Sequence, residues 1–163
     1  MQTAAATWIA RTAPGGMALF VASDHHIPDD QAFRDAVLQA VDAAQEGRII
    51  TFGVRPTEPS SAYGYIQPET EGLSPVRAFV EKPDRAQAEI YVRDGHLWNS
   101  GNFMVRADVL LDQLDAFVPE VSAAARAALP AESGAVMVLT DAFREAPKIS
   151  IDYAVMERSD RIA

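Results

Sequence analysis

One run limits the folds open to this chain more than any other. Met17-Ala18-Leu19-Phe20-Val21-Ala22 is continuously apolar and stops at Ser23-Asp24, the pattern of a parallel strand buried on both faces. Pro28-Asp29-Asp30 then opens a helix, with Phe33, Ala36, Val37, Ala40, Val41 and Ala44 at helical spacing up to Gly47. A second buried strand, Ile49 to Val54, follows. Strand, helix and strand in succession argue for an α/β sandwich with a mostly parallel sheet, which presents binding residues at the carboxyl ends of its strands.

The rest of the chain continues the alternation. Ala-rich residues from about Gln2 to Ala10 predict a helix ending near Pro14-Gly15-Gly16. Arg55 to Ser61 is a polar, Pro-punctuated loop before Tyr63-Gly64-Tyr65-Ile66, and Val76 to Val80 reads as a strand. Asp84 caps a short helix to Val92, and Leu97 to Val105 forms a strand carrying an amide cluster. Helices over about 107–117 and 121–129 cover the sheet. With 163 residues and 48% hydrophobic content, one domain over 1–163 accounts for the chain.

Charge and cysteine content remove several function classes. A formal net charge of −9 disfavours a protein that works by neutralising nucleic-acid phosphates. Without cysteine, disulfides, thiolate zinc sites and cysteine nucleophiles are excluded. No apolar run approaches the roughly 18 residues that span a membrane, and the amino terminus lacks the basic start of a secretory signal. The expectation is a cytoplasmic protein.

Four places could carry chemistry. Asp24 directly follows an apolar strand, where a carboxylate suits Mg²⁺, an ion that takes one or two carboxylates and keeps several waters. Asp152, in Ser150-Ile151-Asp152-Tyr153-Ala154-Val155-Met156-Glu157, is a second candidate ligand, with Ser150 as a cap. The plain alternatives are a turn residue and a first-turn acid. In Phe79-Val80-Glu81-Lys82-Pro83, Lys82 can act as a point charge on a phosphate and Glu81 can accept from hydroxyls. The alternative there is a structural ion pair. In Trp98-Asn99-Ser100-Gly101-Asn102-Phe103, Asn99 can donate to and accept from a hydroxyl, or the stretch can be a bulged strand. Gly64, without a Cβ, allows close backbone approach to a sugar ring. His25-His26 lacks a third ligand at zinc spacing.

In their order these motifs resemble the mannose-1-phosphate guanylyltransferases: Ser23-Asp24-His25, Tyr63-Gly64-Tyr65, Glu81-Lys82-Pro83, Trp98-Asn99-Ser100-Gly101 and Ser150 to Glu157. The resemblance implies a Rossmann-like nucleotidyltransferase fold, the fold of nucleotide-diphospho-sugar transferases. It implies transfer of a guanylyl group from GTP to mannose 1-phosphate, giving GDP-mannose and pyrophosphate. Asp24, Lys82 and Asp152 would be catalytic, with Mg²⁺ on Asp24 and Asp152. Gly64, Glu81, Lys82 and Asn99 would bind substrate. His26 and Asn102 depart from the pattern, which commonly has an apolar residue and Met.

The family's Gly-rich loop, of the form GxGTRLWPLS, has no match here. Met1 to Ala6 resembles a segment downstream of it, so the expectation is a partial domain lacking its nucleotide loop and the central first strand. An apolar sheet edge left open would favour a homodimer, element swapping or marginal stability. The alternatives are a non-catalytic sugar-phosphate-binding or regulatory module, and another hexose-1-phosphate nucleotidyltransferase.

Overall fold

The computed structural model describes residues 1–131 and 136–163. Its elements are α1 (Gln2–Thr12), β1 (Met17–Phe20), α2 (Asp30–Gln39), α3 (Val41–Gln45), β2 (Ile50–Val54), β3 (Tyr65–Pro68), β4 (Val76–Val80), α4 (Arg85–Arg93), β5 (Leu97–Arg106), α5 (Ala107–Phe117) and α6 (Pro119–Ala128). A 3₁₀ turn, Asp141–Glu145, and a π-turn, Asp152–Met156, follow.

Local chemistry accounts for several boundaries. The Asp29 carboxylate accepts from Ala32 N–H at 2.9 Å and starts α2, and Asp84 accepts from Gln87 N–H at 2.8 Å and starts α4. The single helix expected up to Ala44 is broken at Ala40, giving α2 and α3. β1 stops at Phe20, two residues early, because Ala22 N–H turns to the Asn102 side chain at 3.0 Å.

The sheet is organised around β5. Phe103 and Met104 pair with Phe20 and Leu19 of β1, and also with Thr51 and Ile50 of β2. β1 and β2 therefore lie on opposite edges of β5. β3 pairs with Leu97 and Trp98 at the start of β5, and β4 pairs with β3. Among the described residues every ladder is antiparallel, and the one parallel contact is the isolated bridge Ile49–Ile162.

The mostly parallel sheet expected from the sequence is thus corrected. β1 and β2 do run in the same direction, as a strand-helix-strand unit requires. They are not neighbours, because the ten-residue β5 inserts between them in the opposite direction.

Consecutive residues of a strand face opposite sides of a sheet, and β5 uses both. Phe103 and Val105 join the larger core with Ala6, Leu110, Leu114 and Val155, formed by α1, α5 and the π-turn. Met104 faces the other way, against Ala40, Ala44 and Ile50 beneath α2 and α3. Helices on both faces make the α/β sandwich. Leu110 and Leu114 are essentially inaccessible, the setting in which Leu→Ala costs about 2–5 kcal/mol.

β1 is not buried on both faces as its apolar run suggested. Ala18 is buried while Leu19 is 41% exposed. The edge of β1 away from β5 has no strand partner among the described residues. Among those residues, no helix is long and apolar enough to cross a membrane.

Candidate functional site

The site follows from register. Val80 pairs with Tyr65, Tyr65 with Trp98, and Trp98 with Val54. One step along this row stand Glu81, Gly64, Asn99 and Gly53, with Asn99 N–H donating to the Gly64 carbonyl at 2.8 Å. Two segments far apart in sequence, Glu81-Lys82 and Asn99, are thereby brought side by side. Glu81 and Lys82 follow the end of β4, as expected. Asn99 is the third residue of β5 rather than a strand end.

Lys82 has φ 47°, the left-handed region that side chains other than glycine rarely enter. Its Nζ donates to Glu81 Oε1 at 2.8 Å. That hydrogen bond, with the carboxylate charge, raises the Lys82 pKa, so the ammonium is fully charged at neutral pH. The Glu81 side chain is 8% exposed and that of Lys82 55%. The ammonium is accordingly open to a ligand and already oriented. Gly64 serves Glu81 as well as any ligand, because a Cβ there would lie 2.6 Å from Glu81 Oε2.

Asn99 is held by three contacts. Its Oδ1 accepts from Thr51 Oγ1 at 3.0 Å and from Gly101 N–H at 3.1 Å, and its Nδ2 donates to Asp152 Oδ1 at 3.1 Å. Since Gly101 N–H can only donate, the amide orientation is determined. Burial, then the nearby Glu81 charge, push the Asp152 pKa above the ordinary carboxylate value. Ser150 Oγ accepts from Tyr153 N–H at 3.4 Å, a long version of the expected cap.

Asp24 is exposed in the loop after β1. It lines a cavity of about 530 Å³ with His25, Phe33, Phe52, Tyr63, Trp98, Asn99 and Asn102. Tyr63 and Trp98 pack at 4.8 Å between ring centroids. Asn99 is the link between groups: it walls the cavity that Asp24 faces, and it bonds Asp152. Glu81, Lys82 and Asp152 are not part of that wall.

Among the described residues, no group of three or more His, Asp or Glu side chains could hold a metal. Two carboxylates flanking a ligand's phosphates would still suit Mg²⁺. Asp152, whose charged form burial disfavours, is chemically matched to such a cation.

Thr51, Glu157 and Asn102 do more than the sequence signalled. Thr51 reads as one residue of a buried strand and gives no sign that it orients Asn99. Asn102 reads as the last member of a polar stretch, just before the apolar Phe103-Met104-Val105. Buried at 3% exposure, it holds Ala22 N–H, and its Nδ2 lies 3.5 Å from His25 Nδ1, tying the Asp24 loop to β5.

Glu81 and Asn99 stand in one row across the sheet, with the Lys82 ammonium beside Glu81, a set of groups chemically suited to phosphate and hydroxyls. The chain belongs to the nucleotidyl transferase family, whose model matches residues 2–143. It is 42% identical over 146 residues to the xanthan biosynthesis protein XanB of Xanthomonas campestris pv. campestris (strain B100), covering 86% of this chain and 31% of that protein. A mannose-1-phosphate guanylyltransferase of Klebsiella pneumoniae is 41% identical over 154 residues, covering 86% and 32%.

Two solved structures share the fold. One, described as a mannose-6-phosphate isomerase from Helicobacter pylori, superposes with TM-score 0.87 at 30% identity, covering 98% of this chain and 65% of that one. The other, described as a mannose-1-phosphate geranyltransferase from Thermus thermophilus, gives 0.84 at 32% identity, covering 99% and 48%. The chain spans about a third of the length of the curated relatives it matches.

Proposed function

We propose that this chain carries the sugar-phosphate half of a mannose-1-phosphate guanylyltransferase, the enzyme that joins GTP and mannose 1-phosphate into GDP-mannose and pyrophosphate. The observation that carries the reading is the row Glu81–Gly64–Asn99, with Lys82 Nζ oriented by Glu81 and Asn99 Nδ2 directed at Asp152. The names of the relatives support it over 86% of the chain.

In this reading Lys82 holds the phosphate of mannose 1-phosphate and aims its oxygen at the α-phosphorus of GTP. Attack there forms the new P–O bond and releases pyrophosphate. Glu81 and Asn99 take sugar hydroxyls, and Tyr63 and Trp98 wall the cavity against water. Asp24 and Asp152 are the residues that would hold Mg²⁺, which would supply positive charge to the nucleotide phosphates. With such substrates the site of action is the cytoplasm. A second copy of the chain, adding a strand along the open edge of β1, is the partner we propose. A monodisperse monomer in light scattering at high concentration would reject that partner.

The function is tested by calorimetric titration with mannose 1-phosphate and, separately, GTP, each with Mg²⁺, in wild type and Lys82→Ala. Mannose 1-phosphate binding that weakens sharply in Lys82→Ala supports the reading. No binding by wild type sinks it. Mannose 1-phosphate bound without turnover of GTP would leave a sugar-phosphate-binding module, and tighter binding of glucose 1-phosphate would indicate a different hexose.

A further inference from the structure

The π-turn at Asp152–Met156 sets the relative directions of two carboxylates differently from an α-helix. At 3.6 residues per turn, positions five apart point about 140° away from each other. Here Glu157 N–H bonds the Asp152 carbonyl at 3.0 Å, an i→i+5 closure that returns residue 157 over residue 152. Each carboxylate then grips a different strand. Asp152 Oδ1 accepts from Asn99 Nδ2 of β5, and Glu157 Oε1 accepts from the backbone N–H of Glu81, just beyond β4, at 2.8 Å.

The second bond lies where the backbone most needs holding. β4 is paired only as far as Val80, so Glu81 N–H has left the ladder. The next residue, Lys82, has φ 47°, a strained conformation that persists only where surroundings enforce it. Glu157 is exposed and, among the described residues, forms no ion pair. Its one side-chain hydrogen bond there is the one to Glu81.

We propose that Glu157 is a positioning residue for Lys82: its carboxylate clamps the Glu81–Lys82 turn to the π-turn of Asp152, so that the ammonium and Asn99 are presented to one ligand as a unit. The effect on ligand rests on the reading of Lys82 as the phosphate-binding residue; the clamp itself does not.

The experiment uses the full chain with Glu157→Ala, Glu157→Gln, Lys82→Ala and the double variant Lys82→Ala/Glu157→Ala. Mannose 1-phosphate with Mg²⁺ is the calorimetric probe, and amide hydrogen exchange at Glu81 is followed without ligand. Glu157→Ala is expected to weaken binding about tenfold and to remove protection of the Glu81 amide. Glu157→Gln keeps an acceptor oxygen at the same reach and should stay within about threefold of wild type, with the amide protected. In the Lys82→Ala background, Glu157→Ala should add nothing.

Wild-type affinity in Glu157→Ala, or independent losses in the double variant, would overturn the positioning role. Unchanged Glu81 exchange in Glu157→Ala would overturn the clamp. If wild type binds no mannose 1-phosphate, the functional reading fails by itself, and the exchange arm still decides whether the clamp exists.

Discussion

Gly64 and Glu81 occupy space that only one of them can fill: a Cβ on residue 64 would stand 2.6 Å from Glu81 Oε2. The backbone of Gly64 is not in the left-handed region, so alanine there meets no conformational strain. The clash falls on the end of a side chain, which can swing away at little cost to folding. Gly64→Ala should therefore keep its melting temperature within about 2 °C of wild type, an effect of about 1 kcal/mol or less, while displacing the carboxylate that orients Lys82. Mannose 1-phosphate affinity should fall about tenfold or more in calorimetry. Full affinity would show that the Glu81 position does not matter.

How much of this was legible depends on the range of the interactions involved. The helices over α1, α4 and α5 and the strands β2, β4 and β5 follow from local apolar periodicity and from caps such as Asp84. The neighbours of β1 and β2 do not, because the placement of β5 between them is decided by pairing between segments distant in sequence. Lys82, Asn99 and Asp152 stand out through short motifs and through resemblance. Thr51, Asn102 and Glu157 act through contacts to residues 48, 80 and 76 positions away, which no local pattern announces.

Thr51 offers a test of whether Asn99 must be held rather than merely present. Its hydroxyl donates to Asn99 Oδ1 at 3.0 Å and is one of two groups that turn Nδ2 toward Asp152. Thr51→Val keeps the shape and β-branching but removes that donor, a change worth about 0.5–1.5 kcal/mol. Sugar-phosphate affinity should drop roughly three- to tenfold. In NMR spectra the Asn99 side-chain amide should broaden or split. An unchanged amide signal would mean that Gly101 N–H alone fixes the orientation.

Asp152 should be costly to stability and necessary to binding. Its folded pKa is raised by burial and by Glu81, so the native state holds its proton more tightly than the unfolded chain. The contribution to stability is therefore highest below the unfolded value of 3.8 and falls as pH rises through the folded pKa. Asp152→Asn keeps an acceptor for Asn99 without the charge. It should melt at or above the wild-type temperature at pH 7, with the difference shrinking as pH is lowered toward 4, and should lose Mg²⁺-dependent ligand binding. A variant less stable than wild type at pH 7 would contradict the burial argument.

Asp115 gives the opposite pH signature, away from the site. Arg126 donates from both terminal nitrogens to its two carboxylate oxygens at 2.8 Å, clasping α5 to α6. This guanidinium, with the Ser122 hydroxyl, lowers the Asp115 pKa from 3.8 to about 2. A change of that size corresponds to about 2 kcal/mol. Both side chains are nearly half exposed, and solvent screening reduces this to about 1 kcal/mol. A depressed carboxylate stabilises above its unfolded value and loses that contribution as pH falls through the folded one. Asp115→Asn should thus be about 1 kcal/mol less stable in urea at pH 7, with its midpoint converging on wild type between about pH 4 and pH 2. A difference independent of pH would assign the loss to packing between the helices rather than to the ion pair.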